Sequence, residues 1–214
     1  MTQSSTARPL FIVFDGMDGT GKTTQMKLLA AHLEAAGVPV VLTAEPTDSE
    51  DGRRLRRALS GKEPASNSRL AALFLLDRIG HNEEIATYLA EGKTVLCDRY
   101  YYSSLAYQGV GDAFDWVADM NLHCPDIRHP DGCIVLDMDP HASMARIHAG
   151  RDTAALEIYE TVEKQQKIRE RFARTLSHVE DEDLVITVDA DGTPDEVAAR
   201  VVAAYDRILA NAIR

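Results

Sequence analysis

The sequence contains little cysteine. Three of its 214 residues are cysteines, Cys97, Cys124 and Cys133, and no two of them have the short spacing of a C-x-x-C motif. This spacing argues against both a disulfide framework and a zinc knuckle. We therefore expect reduced thiols in a cytoplasmic protein.

Long apolar stretches are also missing. No segment approaches the roughly 20 consecutive apolar residues that a membrane-spanning helix needs. The segment from Met1 to Pro9 is polar and lacks the apolar centre of a secretory signal. We expect an unprocessed soluble chain with no membrane partner.

Basic residues are outnumbered by acidic ones, 23 to 34, which gives a formal net charge of -11. A polyanion would be repelled unless a dense basic stripe offset this charge, and the densest basic cluster is Arg53 to Arg57. We expect no nucleic-acid partner. A small phosphorylated ligand remains compatible, because its site needs only a few convergent donors.

No repeat, low-complexity tract or flexible linker divides the chain, so one domain spanning residues 1–214 is expected. Five short apolar runs predict strands, namely Leu10–Asp15, Val38–Thr43, Thr94–Asp98, Gly132–Asp137 and Leu184–Val188. Helical patterns cover Lys22–Ala36, Gly52–Ser60, Ser68–Glu91, Ala113–Leu122, His141–His148, Leu156–Val179 and Pro194–Ile213. This alternation predicts an α/β fold in three layers, a doubly wound five-stranded parallel sheet flanked by helices.

A glycine-rich motif follows the first predicted strand and opens the first predicted helix. Residues Gly16 to Thr23 satisfy G-x-x-x-x-G-K-[ST], the P-loop pattern that cradles nucleotide phosphates. We expect nucleotide contacts from Gly16, Met17, Asp18, Gly19, Thr20, Gly21, Lys22, Thr23 and Thr24. The Lys22 ammonium suits the β- and γ-phosphates of ATP, and the Thr23 hydroxyl suits Mg²⁺.

Three classes of P-loop protein compete at this point: a molecular switch, a mechanical ATPase and a kinase for a small acceptor. The chain has no N-K-x-D stretch for reading guanine, which counts against a switch. It is also too small and too free of repeats for most mechanical ATPases. A small-molecule kinase is favoured.

Asp98 and Arg99 end the third predicted strand, where open α/β sheets place ligand-binding groups. The Asp98 carboxylate is suited to Mg²⁺ and the Arg99 guanidinium to a bidentate phosphate contact. A structural ion pair that caps the strand is the alternative.

The chain resembles the thymidylate kinases over essentially its whole length. The motifs are FDGMDGTGKTTQ, TAEPT at Thr43 to Thr47, FLLDR at Phe74 to Arg78, and DRYYYSSLAYQG at Asp98 to Gly109. The last is the most specific, because kinases for other monophosphates share the P-loop but not this segment. The resemblance implies transfer of the γ-phosphoryl group of ATP to thymidine monophosphate (dTMP) in dTTP biosynthesis, and a homodimer.

The same resemblance assigns acceptor-binding roles. Phe74 stacks on the pyrimidine, Arg78 hydrogen-bonds its edge, Arg99 binds the acceptor phosphate and Asp18 contacts the 3′-hydroxyl. Tyr107 crowds the 2′ position, Ser104 and Gln108 line the thymidine pocket, and Glu45 serves the magnesium or acceptor side. Without the resemblance, helix core is the preferred interpretation of Phe74, and the charged Arg78 one turn away is what favours a functional role.

Two positions depart from the family pattern. Ala44 stands where an arginine commonly helps to hold the acceptor phosphate, and Arg56 is the expected substitute. Gly19 stands where some members carry the catalytic arginine. That role then falls to a lid at about 149–156, with Arg151 the first choice and Arg146 the second. Taken alone, the sequence from Ala149 to Ala155 slightly favours a plain connector over a mobile lid. Lys22, Arg99, Arg151 and, through Mg²⁺, Asp98 are the expected catalytic residues.

Two alternative functions stay open. A kinase for another pyrimidine monophosphate, such as deoxyuridine or cytidine monophosphate, needs only a modest change in the pocket. A regulatory protein that binds nucleotide without transferring phosphate is compatible with Ala44 and with a lid poor in basic residues.

Overall fold

The structure, a computed structural model, describes residues 8–150 and 161–213. Its strands are β1 (Phe11–Gly16), β2 (Val40–Ala44), β3 (Thr94–Asp98), β4 (Gly132–Asp137) and β5 (Val185–Asp189). Its helices are α1 (Lys22–Ala35), α2 (Glu50–Leu59), α3 (Asn67–Ala90), α4 (Tyr101–Tyr107), α5 (Phe114–Leu122), α6 (Pro140–Gly150), α7 (Val162–Val179) and α8 (Pro194–Ala212). All five predicted strands are confirmed, with ends that shift by at most two residues.

The strands form one sheet in the order β2-β3-β1-β4-β5, and every neighbouring pair is parallel. Side chains of the central β1 alternate between two cores: Phe11 and Val13 pack on one face, and Ile12 and Phe14 on the other. The predicted three-layer, doubly wound fold is therefore confirmed. Because β1 has β3 on one side and β4 on the other, the chain adds β2 and β3 on one side of β1 and β4 and β5 on the other, and a crevice is expected at this switch point, at the carboxyl edge of the sheet.

Helix α1 behaves as its pattern predicts. It begins after Gly21, which has a left-handed φ of 92°, and it buries Met26, Leu29, Ala30 and Leu33. The P-loop therefore connects a fully buried strand to the first turn of a helix, which is the context that the motif requires.

Helix α4 was not predicted, although it carries much of the site. All seven of its residues are buried, so it shows no amphipathic pattern. Its position is set by Arg99, whose φ of 72° turns the chain after β3, and by buried Asp15. The Asp15 carboxylate accepts hydrogen bonds from the Ser103 backbone N–H (3.0 Å) and the Ser103 hydroxyl (2.7 Å). As a result, α4 starts directly beside the P-loop strand.

The proposed lid falls mostly outside the described residues. Helix α6 continues through Gly150, whereas Arg151 and the rest of the segment up to residue 160 are not described. Helix α7 begins at Val162, where Thr161 caps it by accepting the Lys164 N–H, while the prediction began it at Leu156. Within the described ranges, no helix is both long and apolar enough to cross a membrane.

Candidate active site

A cleft of about 860 Å³ opens at the carboxyl edge of the sheet. Most of the predicted site residues line it, namely Asp18, Gly19, Gly21, Lys22, Thr23, Thr24, Arg56, Phe74, Asp98, Arg99, Tyr107 and Gln108. Six others do not line the cleft and are buried, namely Gly16, Met17, Thr20, Glu45, Arg78 and Ser104. Phe74 belongs to the core cluster between α2 and α3 and also lines the cleft. The two interpretations of Phe74 from the sequence, helix core and substrate site, therefore do not exclude each other.

Lys22 is folded back onto the P-loop. Its ammonium donates hydrogen bonds to the carbonyl oxygens of Gly16 (3.1 Å) and Met17 (2.7 Å). Burial, followed by repulsion from Arg99, lowers the pKa of Lys22 to about 8, against the opposing attraction of nearby carboxylates such as Asp18. Lys22 must therefore exchange two carbonyl partners for phosphate oxygens when a nucleotide binds.

Gly19 packs directly against helix α6. Its φ is 76°, and a Cβ there would overlap the carbonyl oxygen of Ser143 and lie 2.9 Å from Cγ1 of Ile147. Backbone and a buried side chain both resist displacement, so the loop has no room for a side chain at this position.

Thr23 and Asp98 form the candidate metal position. The Thr23 hydroxyl donates to the Asp98 carboxylate across 2.7 Å, and both residues line the cleft. Among the residues that the structure describes, no three or more His, Cys, Asp or Glu side chains are grouped to hold a metal. One hydroxyl and one carboxylate do fit Mg²⁺, which usually takes a few protein oxygens and completes its shell with water and substrate phosphates.

Asp18 connects the P-loop to α4 and α7. Its carboxylate accepts hydrogen bonds from the Arg99 guanidinium, the Tyr107 hydroxyl (3.1 Å) and the Gln165 amide (3.5 Å). Burial opposes ionisation, but Arg99, Lys22 and these hydrogen bonds outweigh it and hold the pKa of Asp18 below its usual range. Asp18 is therefore a fixed anion that keeps Arg99 against the cleft wall. The sequence reasoning missed Gln165, whose only signal is a polar side chain at a buried position of a helix.

Arg78 lies in a buried polar cluster below the cleft surface. Its Nε and Nη2 both donate to Glu45 Oε2, at 2.9 and 2.6 Å, and Nη2 also donates to the Ser104 hydroxyl at 3.2 Å. Its Nη1 donates to Asn121 of α5. Glu45, predicted for the magnesium or acceptor side, does not line the cleft; it is 4% exposed and paired with Arg78 and His81. Neither Asn121 nor His81 was foreseen.

Gln108 presents an unsatisfied acceptor to the cleft. It is 1% exposed, it lines the cavity, and its side-chain Oε1 has no hydrogen-bond partner among the described residues. Its backbone N–H is fixed by the carbonyl of Ser104 at 2.8 Å. A buried acceptor without a donor is costly, so this oxygen is suited to a ligand N–H or O–H.

Two arginines border the cleft on opposite sides. Arg56 of α2 donates to the Pro46 carbonyl (2.6 Å) and pairs with Asp48 at 3.0 Å. Arg146 of α6 donates to the carbonyls of Ala190 (3.2 Å) and Gly192 (3.3 Å). Both line the cavity. Arg151, the first choice for a lid arginine, is outside the described residues.

Comparison with known proteins identifies the family. A family model described as thymidylate kinase matches residues 14–201, which is most of the chain. The chain belongs to the thymidylate kinase family.

Curated relatives in the thymidylate kinase family span archaea and bacteria. A probable thymidylate kinase of Pyrococcus horikoshii is 42% identical over 174 residues, 78% of this chain and 82% of the relative. A probable thymidylate kinase of Methanococcus aeolicus is 37% identical over 196 residues, 90% of this chain and 93% of the relative. The thymidylate kinase of Leptospira borgpetersenii is 34% identical over 192 residues, 89% and 90% respectively. The match to the family model thus includes the P-loop and the segment from Asp98 to Gly109.

Proposed function

We propose that this protein, as one kinase domain over residues 1–214, transfers the γ-phosphoryl group of ATP to dTMP, giving thymidine diphosphate and ADP. The observation that carries the proposal is one continuous cleft with a triphosphate cradle and an acceptor pocket. Lys22, Thr23 and Asp98 supply the first part, and Phe74 and Gln108 belong to the second. Family membership and the relatives' names support this pairing of substrates.

The polar groups of the acceptor pocket favour a base with one donor next to one acceptor. Gln108 Oε1 needs a hydrogen-bond donor, and Arg78 carries only donors. Thymine and uracil offer N3–H beside the O4 carbonyl, whereas cytosine offers an acceptor beside an amino group. Phe74 adds a flat apolar surface for stacking. With Gln108 assigned to N3 and Arg78 to the group at position 4, the N3–H and O4 carbonyl of thymine and uracil are favoured over the N3 acceptor and amino group of cytosine.

The sugar side of the pocket is assigned to Asp18 and Tyr107, which are hydrogen-bonded to each other. Asp18 accepts a hydrogen bond from the 3′-hydroxyl. Tyr107 occupies the space next to the 2′ carbon and favours a deoxyribose. Arg99 and Arg56 then bind the acceptor phosphate. Arg56 takes the place of the arginine that family members commonly carry at the position of Ala44.

The reaction proceeds by in-line attack of an acceptor phosphate oxygen on the γ-phosphorus. Lys22 and the lid residue Arg151 stabilise the charge that spreads over the transferred group. Arg99 orients the attacking phosphate, which is already largely ionised near neutral pH (second pKa about 6), so no general base is required. Thr23 and Asp98 would hold Mg²⁺, which supplies charge neutralisation and alignment of the donor phosphates.

Deoxyuridine monophosphate is the nearest alternative acceptor. It differs from dTMP by one methyl group, which is worth about 1–3 kcal/mol in an apolar pocket. We expect a preference for dTMP rather than strict exclusion. Among the residues that the structure describes, nothing in the site favours a regulatory protein without transfer activity.

The quaternary structure and location are part of the proposal. Leu76 of α3 and Trp116 of α5 are large apolar side chains that are 47% and 45% exposed. They support a homodimer formed through α3 and α5. Other apolar residues of α3, namely Leu70, Leu73 and Phe74, lie in the internal core and would not take part in the interface. Reliance on ATP and free thiols at three cysteines support a cytoplasmic enzyme.

A coupled assay of ADP release tests the proposal. The purified chain is incubated with ATP, Mg²⁺ and one of the monophosphates of thymidine, deoxyuridine, uridine, cytidine or adenosine. We expect the highest kcat/KM with dTMP, loss of turnover in Lys22→Ala, and no loss in the matched control Lys27→Ala, which alters an exposed lysine of the same helix. Absence of turnover with every acceptor would refute the proposal.

A further inference from the structure

The geometry points to His81 as a positioning residue for the base of the acceptor nucleotide, a role that rests on the proposed function. His81 is 2% exposed on α3 and does not line the cleft. It acts through Glu45, which in turn fixes the guanidinium of Arg78.

The two ring nitrogens of His81 have different partners. Its Nδ1 lies 3.1 Å from Glu45 Oε1, and its Nε2 lies 2.6 Å from the hydroxyl of Thr43. A carboxylate accepts only, so Nδ1 carries the proton and donates to Glu45 whatever the protonation state of Nε2. His81 therefore links the end of β2 to Glu45 with a fixed direction of hydrogen bonding.

Because of this bond, the two carboxylate oxygens of Glu45 have different partners. Oε1 is taken by His81, and Oε2 alone receives both Nε and Nη2 of Arg78. A carboxylate and a guanidinium left to themselves favour a bidentate pair that uses both oxygens. Without His81, Oε1 would be a buried acceptor with no donor, and we expect the carboxylate to turn until both oxygens face Arg78.

That rotation would move the donors that Arg78 presents. Its Nη2 now donates to Ser104 and its Nη1 to Asn121, so the plane of the guanidinium is held from α4 and α5 as well. Four hydrogen bonds use at most four of its five N–H groups, and one Nη1 hydrogen remains for the base. In the proposed complex this hydrogen is directed at the O4 carbonyl of the base, so a rotation of the guanidinium would turn it away from that acceptor.

Three substitutions separate the two ring nitrogens. The amide nitrogen of His81→Asn approximates Nδ1 and keeps the bond to Glu45. His81→Gln approximates Nε2, keeps the contact with Thr43 and loses Glu45, whereas His81→Leu loses both. Steady-state kinetics would measure KM for dTMP and for ATP, kcat, and the preference for dTMP over deoxycytidine monophosphate, with the melting temperature measured for each variant.

We expect His81→Gln and His81→Leu to raise KM for dTMP by about tenfold, with kcat and KM for ATP within about twofold of the unsubstituted chain. The preference for dTMP over deoxycytidine monophosphate should fall in His81→Gln and in His81→Leu, because a misdirected Arg78 no longer selects a carbonyl at position 4 of the base. His81→Asn should keep both KM for dTMP and the preference for dTMP close to those of the unsubstituted chain. Equal effects in all three variants, an unchanged KM for dTMP, or parallel changes in every constant with the melting temperature would overturn the inference. Lack of turnover in the unsubstituted chain would instead reject the proposed function.

Discussion

The lowered pKa of Lys22 predicts that nucleotide affinity weakens as pH rises through about 8. In the free protein, burial and Arg99 disfavour the charged ammonium. Bound phosphates favour it, and they raise the pKa of Lys22 again. Nucleotide therefore binds best when Lys22 is already protonated, below pH 8, and above that pH it must take up a proton in order to bind.

The magnitude follows from the fraction of Lys22 that is protonated in the free protein. With a pKa of about 8, that fraction is about one half at pH 8 and about one tenth at pH 9. If bound phosphates restore the ordinary value of 10.5, Kd should rise about twofold at pH 8 and about tenfold at pH 9, relative to pH 7. Near pH 9, binding should take up roughly 0.9 proton per nucleotide.

Isothermal titration calorimetry with a non-hydrolysable ATP analogue and Mg²⁺ measures both quantities. Buffers with different ionisation enthalpies report the proton uptake directly. Lys22→Arg should show a flat Kd between pH 7 and 9, because arginine stays charged, and Lys27→Met should follow the unsubstituted chain. An unchanged Kd together with no proton uptake at pH 9 would refute the reasoning.

Three further predictions concern the metal, the loop and the lid. Asp98→Asn should raise the Mg²⁺ concentration needed for half-maximal rate by at least about tenfold, measured by titrating Mg²⁺ at saturating ATP; an unchanged requirement would remove Asp98 from the metal. Gly19→Ala should lose about 1–3 kcal/mol more stability than Gly61→Ala in urea unfolding, because both have positive φ but only Gly19 meets other atoms within 4 Å; equal losses would show that the loop has room. Arg151→Ala should lower kcat by about 10³-fold in the ADP-release assay, and Arg146→Ala should lower it by much less. The reverse order would mean that Arg146 of α6 is the arginine that stabilises the transferred phosphoryl group.

The sequence predicted the strands well because each is an unbroken apolar run. Helix α1 was also predicted well, since its apolar residues recur at helical spacing and pack against one face of the sheet. The P-loop and the DRY segment could be assigned to the cleft because strand ends in a parallel sheet meet at one edge. The sequence alone therefore predicted that Asp98 and Arg99 lie at the cleft, and both line it.

Helix α4 could not be predicted from its pattern. A helix buried on every side has no polar face, and Tyr101 to Tyr107 begins with aromatic residues that are as typical of strands. Its helical state depends on tertiary contacts, in particular on the buried carboxylate of Asp15. A single sequence does not reveal such a partner.

The buried polar cluster was missed for a similar reason. His81, Asn121 and Gln165 come from three helices, and only the folded chain brings each of them to Arg78, Glu45 or Asp18. Glu45 itself was recognised by its motif and was expected on the magnesium or acceptor side. It is buried and paired with Arg78. The sequence did not reveal this pairing, because hydrophobic periodicity gives no information on which polar side chains are paired inside the core.

The most direct test of the account follows the transferred atom itself. The chain is incubated with ATP labelled at the γ-phosphate, Mg²⁺ and dTMP, and the products are separated by chromatography. We predict that the label appears in thymidine diphosphate in a one-to-one ratio with ADP, and that this product is absent in Lys22→Ala. Label that is released only as inorganic phosphate, or that stays in ATP while nucleotide still binds, would contradict the assignment of this cleft to dTMP phosphorylation.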